Sequence, residues 1–105
     1  MKIEIKNLRN KEFHNEPWQF RVDRGTPVGN IYYMHDENER DAVCDKYELH
    51  FRKLISYSEN AKQYLQSMLD ALNEYGYIEL YCWCAPKRCH ASTIRRWLIS
   101  QIKNN

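Results

Sequence analysis

Apolar residues along this chain keep two different periods, and each change of period bounds an element. Ile3 and Ile5 alternate with Lys2, Glu4 and Lys6, which predicts a short first strand. Asn7 to Glu16 is polar and reads as a loop. Trp18, Phe20 and Val22 then alternate with Gln19 and Arg21, predicting a second strand with those three residues inward. The spacing next becomes helical. Val43, Tyr47, His50, Phe51, Leu54 and Ile55 recur on one face, and Asp36 with Glu39 fits an N-terminal capping pair. Ser56 with Glu59 is a second such pair, ahead of an Ala61, Tyr64, Leu65, Met68 and Leu72 stripe. Gly76 closes that helix, as a glycine in the left-handed conformation often does. Tyr77 to Trp83 is aromatic and aliphatic and predicts a third strand, which Pro86 stops because it has no N–H for a ladder. Ile94, Trp97, Leu98 and Ile102 predict a last helix opening near His90.

The order is β-β-α-α-β-α. It implies an α/β fold: one small domain over residues 1–105, its sheet at least partly parallel and flanked by three helices, with helices on both of its sides. In such sheets ligands bind outside the carboxyl ends of the strands. Two punctuated stretches follow strands here. Arg24 to Asn30 contains Gly25, Pro27 and Gly29, and Cys84 to His90 contains Pro86. If the second and third strands are parallel neighbours, both stretches line one pocket.

Charge alters this picture more than composition does. A hydrophobic fraction of 43% supports a packed core, and no apolar run reaches the roughly 20 residues that span a bilayer. Without a charged-then-apolar leader the expected location is cytoplasmic, in a host cell if the chain is phage-encoded. The net charge is only +2, yet all 14 acidic residues lie at or before Glu79. Lys87, Arg88, Arg95, Arg96 and Lys103 follow it, so the C-terminal segment is wholly basic. Such a segment beside a helix N-terminus suits an anionic ligand. A solvated helix face is the plainer alternative. Five charges are too few to suggest duplex DNA.

Three of the four cysteines and one of the four histidines fall between Cys82 and His90. Three chemistries are open to them. In the first, backbone N–H groups around Cys89, His90 and Ala91 bind phosphate, and Arg24, Lys87 or Arg88 add charge-assisted hydrogen bonds. Gly25, Thr26 and Gly29 form a loop that approaches the ligand closely, Asn30 and His90 hydrogen-bond it, Cys84 adds to the wall, and Trp83, Tyr32 or Tyr33 stacks on a base. Trp83 as plain core is the alternative. In the second, Cys89 is a nucleophile activated by the helix N-terminus with His90 as base. In the third, Cys82, Cys84, Cys89 and His90 hold zinc. One residue between Cys82 and Cys84, and none between Cys89 and His90, is poor spacing for that. Cys44 and His50 read as helix residues facing the core. No cofactor is expected. Aromatic residues around a wet pocket also leave room for a homodimer that completes the site.

The run Arg24-Gly25-Thr26-Pro27-Val28-Gly29-Asn30, with Cys82-Trp83-Cys84-Ala85-Pro86-Lys87-Arg88-Cys89-His90-Ala91 far downstream, resembles the bacterial and phage family called domain of unknown function 4326. That family shows an RGS-x-x-GNPF loop and a C-W-C-x-P-x-x-C-H turn before its last helix. This chain departs at Ile31 and Tyr32, where the family has Pro-Phe. The resemblance implies a fold and a site but no reaction. By analogy with small nucleotide-handling domains, it leads to the expectation of a nucleotide-like, phosphate-bearing ligand, and of a phage protein that sequesters a host immune nucleotide.

Overall fold

The computed structural model describes residues 1–103, so the last two residues of the expected domain lie outside the described part. Its strands are β1 (Lys2–Asn7), β2 (Gln19–Arg21) and β3 (Tyr77–Cys82), and its helices are α1 (Arg40–Tyr57), α2 (Glu59–Tyr75) and α3 (Ala91–Lys103). This is the expected order. Two single 3₁₀ turns, Leu8–Asn10 and Glu37–Glu39, lie in the connections. The sheet runs β1-β3-β2 and every pairing is parallel. Ile3 stands opposite Ile78, and Ile5 and Phe20 stand opposite Leu80 from either side, so one apolar row crosses all three strands. β2 is shorter than the alternating run Trp18–Val22. The flanks of that run still bond: Glu79 N–H donates to Trp18 O at 2.9 Å, and Val22 N–H to Tyr81 O at 2.9 Å.

The apolar row faces a single core, to which all three helices contribute. Ile3, Ile78, Leu80 and Cys82 pack there with Tyr47 and Phe51 of α1, Leu65, Met68 and Leu72 of α2, and Ile94 and Leu98 of α3. Leu80 and Ile78 are fully buried, each worth about 1.5–3 kcal/mol in transfer terms. Helices on both sides of the sheet are therefore not what forms. Strand β3 alternates, and its other row is Tyr77, Glu79 and Tyr81, which is polar at the tips. Glu79 is buried and binds Lys6 at 2.8 Å, Gln19 Nε2 at 2.9 Å, the Tyr81 hydroxyl at 2.8 Å and the Tyr77 hydroxyl. The segment between β1 and β2 covers this face, with Phe13 edge-on to Tyr81 at 5.2 Å. A helix has no apolar row to bury there, which is why the three helices share one side.

Capping differs from expectation in one place. α1 continues to Tyr57, so Ser56 lies inside it and donates to Arg52 O at 3.0 Å. Ser58 is the cap of α2 and accepts the Ala61 N–H at 3.2 Å. Asp36 caps the 3₁₀ turn that leads into α1, accepting from Asn38 N–H at 2.9 Å. Gly76 ends α2 with φ +70°, and its N–H bonds Leu72 O at 2.8 Å. No described helix is long and apolar enough to cross a membrane.

Candidate functional site

Parallel β2 and β3 are neighbours, so the segments that follow them leave the sheet side by side. They enclose a cavity of about 190 Å³. Asp23, Arg24, Asn30 and Tyr32 line it from the β2 side, and Trp83, Cys84, Arg88, Cys89 and His90 from the β3 side. Arg40, Val43 and Cys44 of α1 close it, together with Met34. This is the expected convergence at the carboxyl edge of the sheet.

The β2 loop is held by its own backbone. Thr26 N–H and Thr26 Oγ1–H both bond Asp23 O, at 3.2 and 2.9 Å, and Gly29 N–H bonds Thr26 O at 3.0 Å. Gly25 takes φ +101°, a conformation open to glycine. A side chain at Gly29 would put Cβ 2.7 Å from Asp23 O, so the close approach here is loop against loop rather than loop against ligand. Gly25, Thr26 and Gly29 shape the wall from behind and do not line the cavity. Tyr47 straps the loop to α1 by donating to Val28 O at 2.6 Å. Asp23 is buried. Burial raises its carboxyl, but Arg21 Nε–H at 3.0 Å and the Trp83 indole N–H at 3.3 Å help hold it below its usual range.

The β3 loop is held by residues distant in sequence. Asn7 at the end of β1 donates to Ala85 O at 2.8 Å and to Trp83 O at 3.3 Å. Arg40 donates to Arg88 O at 2.8 Å. The Ala85–Pro86 bond is cis. Trp83 is 51% exposed, so the reading of it as core fails: β3 ends at Cys82, and the ring leaves the sheet to stand at the cavity.

The basic C-terminal segment is mostly neutralised. Lys87 pairs with Glu37 at 3.0 Å and lies outside the cavity wall. Arg88 pairs with Asp41 at 2.8 Å and Asp45 at 3.0 Å, Arg96 pairs with Glu48, and Arg95 bonds Ile3 O at 3.0 Å. Acidic residues of α1 and the turn before it supply most of these partners. Arg24 is different. It stacks over the Tyr33 ring at 4.0 Å, donates to Tyr32 O at 3.2 Å, and pairs with no carboxylate among the described residues. It is the cavity's uncommitted cation.

The N-terminus of α3 packs into the core. Ala91 is fully buried, and the Ser92 and Thr93 N–H groups bond Cys89 O and His90 O at 3.1 Å each. The backbone carbonyls of Cys89 and His90 thus take up the N–H groups of Ser92 and Thr93 in the first turn.

The three sulfurs of the turn share hydrogen bonds. Cys89 Sγ donates to Cys82 Sγ at 3.3 Å. A hydrogen bond from Cys89 and the Arg40 guanidinium lower the Cys84 thiol to about 6, against the opposing effect of burial. Cys82 is lowered by Cys89 and by the N–H groups of Cys84 and Ala85, against its burial. Cys89 is pushed up as donor to both, and by burial. The shifts run in opposite directions, favouring the thiolate at Cys84 and disfavouring it at Cys89. His90 does not serve as its base. The ring Nε2–H bonds Val22 O, the ring stands edge-on to Tyr47 at 5.0 Å, and burial keeps it neutral. Among the described residues no group of three or more His, Cys, Asp or Glu side chains is placed to hold a metal ion, the Cys82, Cys84, Cys89 and His90 set included. Cys44 is buried and borders the cavity, while His50 packs between Tyr32 and Tyr47 at about 6 Å and does not line it.

Residues 5–100 match the model of a domain of unknown function, DUF4326. The chain belongs to that family. No curated protein and no solved structure matches it. In this DUF4326 chain, sequence reasoning missed Arg40 and Asp23. Both meet the turn only through tertiary contact, and nothing in the local pattern singles them out.

Proposed function

We propose that the cavity binds a small anionic, nucleotide-like molecule. The observation that carries this reading is an unpaired Arg24 guanidinium beside an exposed Trp83, both at one cavity between two strand-end loops. Arg24 supplies two-pronged hydrogen bonds to a phosphate, and Trp83 and Tyr33 offer faces to a base. The cavity is smaller than the roughly 300 Å³ at which ligand pockets usually begin, so it takes one end of such a molecule and leaves the rest over those rings. Asn30 and His90 line the same cavity, and in this reading the Asn30 amide N–H₂ and the second ring nitrogen of His90 add polar contacts. Sequestration of a nucleotide signal, as a phage protein would perform, belongs to this proposal.

The test is native mass spectrometry with NAD, ADP-ribose and its cyclic forms, cyclic dinucleotides and mononucleotides, for the wild type and Arg24→Ala. Binding by the wild type, at least about tenfold weaker in Arg24→Ala, supports the reading. No binding by any member, or equal binding by both proteins, sinks it. An intact ligand on release supports sequestration, and the same spectrum gives the subunit count. A second reading, thiol chemistry on such a ligand, is favoured by the lowered Cys84 thiol. A converted ligand on release, with conversion lost in Cys84→Ser, would establish it.

A further inference from the structure

Binding an anion does not require three cysteines at a cavity wall. Cys82, at the end of β3, is 1% exposed, and Cys89, just before α3, is 4% exposed. Cys84 between them is half-buried and lines the cavity. Cys89 Sγ donates to Cys82 Sγ at 3.3 Å, and of the three sulfur residues Cys84 and Cys89 line the cavity while Cys82 does not. Residues 83–90 are neither strand nor helix, so small rotations there bring sulfurs together without breaking a ladder. Arg40 lines the same cavity as Cys84, and its guanidinium bonds Arg88 O at 2.8 Å within the same loop.

We propose that Cys84 and Cys89 form a hydroperoxide-reactive thiol pair, with Cys84 as the attacking sulfur and Cys89 as the resolving one. The Cys84 thiolate attacks the terminal oxygen of a hydroperoxide. The O–O bond breaks, the alkoxide leaves and takes up a proton, and Cys84 becomes a sulfenic acid. The sulfur of Cys89 then attacks Cys84 sulfur. An S–S bond forms, the S–O bond breaks, and hydroxide departs as water with the Cys89 proton. Two thiols are oxidised by two electrons, and one hydroperoxide is reduced to an alcohol and one water.

Three features divide the roles. Exposure selects Cys84, since a peroxide entering the cavity meets it before the two buried sulfurs. The positive charge of Arg40 favours the thiolate there and faces the departing alkoxide. The direction of titration agrees: Cys84 is lowered, while Cys89 keeps its proton until the second step needs it. Burial pushes Cys44 up, so it is inert although it borders the same cavity.

The experiment treats the reduced full chain with substoichiometric hydrogen peroxide or cumene hydroperoxide, with and without dimedone. Non-reducing peptide mapping follows. The expected product is a Cys84–Cys89 cross-link, with two thiols lost per peroxide. Cys89→Ser should give a dimedone adduct on Cys84, and Cys84→Ser should consume peroxide at least about tenfold more slowly. A disulfide that omits Cys84 would overturn the proposal. So would a wild-type rate no faster than that of free cysteine, or a Cys84→Ser protein that reacts as the wild type does. Mapping the wild type decides the pairing even if Cys89→Ser does not fold. None of these readouts involves the anionic ligand, so this proposal and the binding proposal fail separately.

Discussion

The two loops that meet at the cavity leave neighbouring parallel strands, yet they are held in opposite ways. The loop after β2 closes on itself. Its turn bonds run from Asp23 to Gly29, and one strap, Tyr47 to Val28 O, ties it to α1. The loop after β3 is held from outside, by Asn7 of β1 and Arg40 of α1, and its charges are met by Glu37, Asp41 and Asp45. Self-closure leaves Arg24 lining the cavity with no carboxylate partner among the described residues. External bracing pairs Lys87 and Arg88 with acidic residues, while Cys84 and Cys89 line that wall. A guanidinium and a half-buried thiol therefore come to one cavity from loops that are braced differently and joined by the Trp83–Asp23 and His90–Val22 hydrogen bonds.

The comparison breaks first at Gly29. Gly29→Ala sets a Cβ against backbone atoms, Asp23 O at 2.7 Å and Arg24 Cα at 3.0 Å, which cannot swing aside. It should cost about 3 kcal/mol in urea unfolding and also weaken ligand binding. An unchanged midpoint would show that the loop is not closed on itself.

Glu79 lies under neither loop, on the polar side of β3, and tests whether the loops are independent of that face. Burial acts to raise its carboxyl, but Lys6 and hydrogen bonds from Tyr77, Gln19 and Tyr81 hold it down to about 2. Its contribution is thus fully present above the ordinary carboxylate value of 4.5 and is lost as pH falls toward 2. Glu79→Gln should cost about 2 kcal/mol at neutral pH and remove that part of the acid dependence, leaving ligand affinity unchanged. Unfolding curves between pH 2 and 7 check the first claim, and titration with the ligand checks the second.

Effects on the β3 loop should be smaller in stability and larger in chemistry. Arg40→Ala removes a bond to Arg88 O and the cation beside Cys84. We expect a loss of about 1–2 kcal/mol and a several-fold slower alkylation of Cys84 by iodoacetamide at pH 7. Alkylation at the wild-type rate would remove Arg40 from the account of that thiol. Asn7→Ala, which frees Ala85 O, should cost only about 1 kcal/mol and increase amide exchange near residues 83–90.

Much of the fold was legible because its causes are local. Ile3 and Ile5 alternate, the stripe from Ala61 to Leu72 is helical, and Gly76 stops it; each signal acts within a few residues. The cap misplaced at Ser56 shows the limit, since Ser58 differs from it only in where α1 happens to end. Of the site, the two loops and their meeting were legible. The burial of Cys89 against Cys82 was not, because it depends on the Cys89 side chain turning inward once β3 and α3 have packed.

The sequence by itself determined the element order and the residues that punctuate the strand ends. Period, proline and glycine act through the local backbone, and those effects do not depend on what packs above. Only the tertiary structure decided which side of the sheet the helices cover, which lining arginine has no acidic partner among the described residues, and which cysteine thiols are lowered. Each of these turns on a contact between residues far apart in the chain: Arg88 against Asp41, Arg40 against Cys84, Glu79 against Lys6. Electrostatics and burial fall off with distance in space, not in sequence, so they emerge only once the chain has closed.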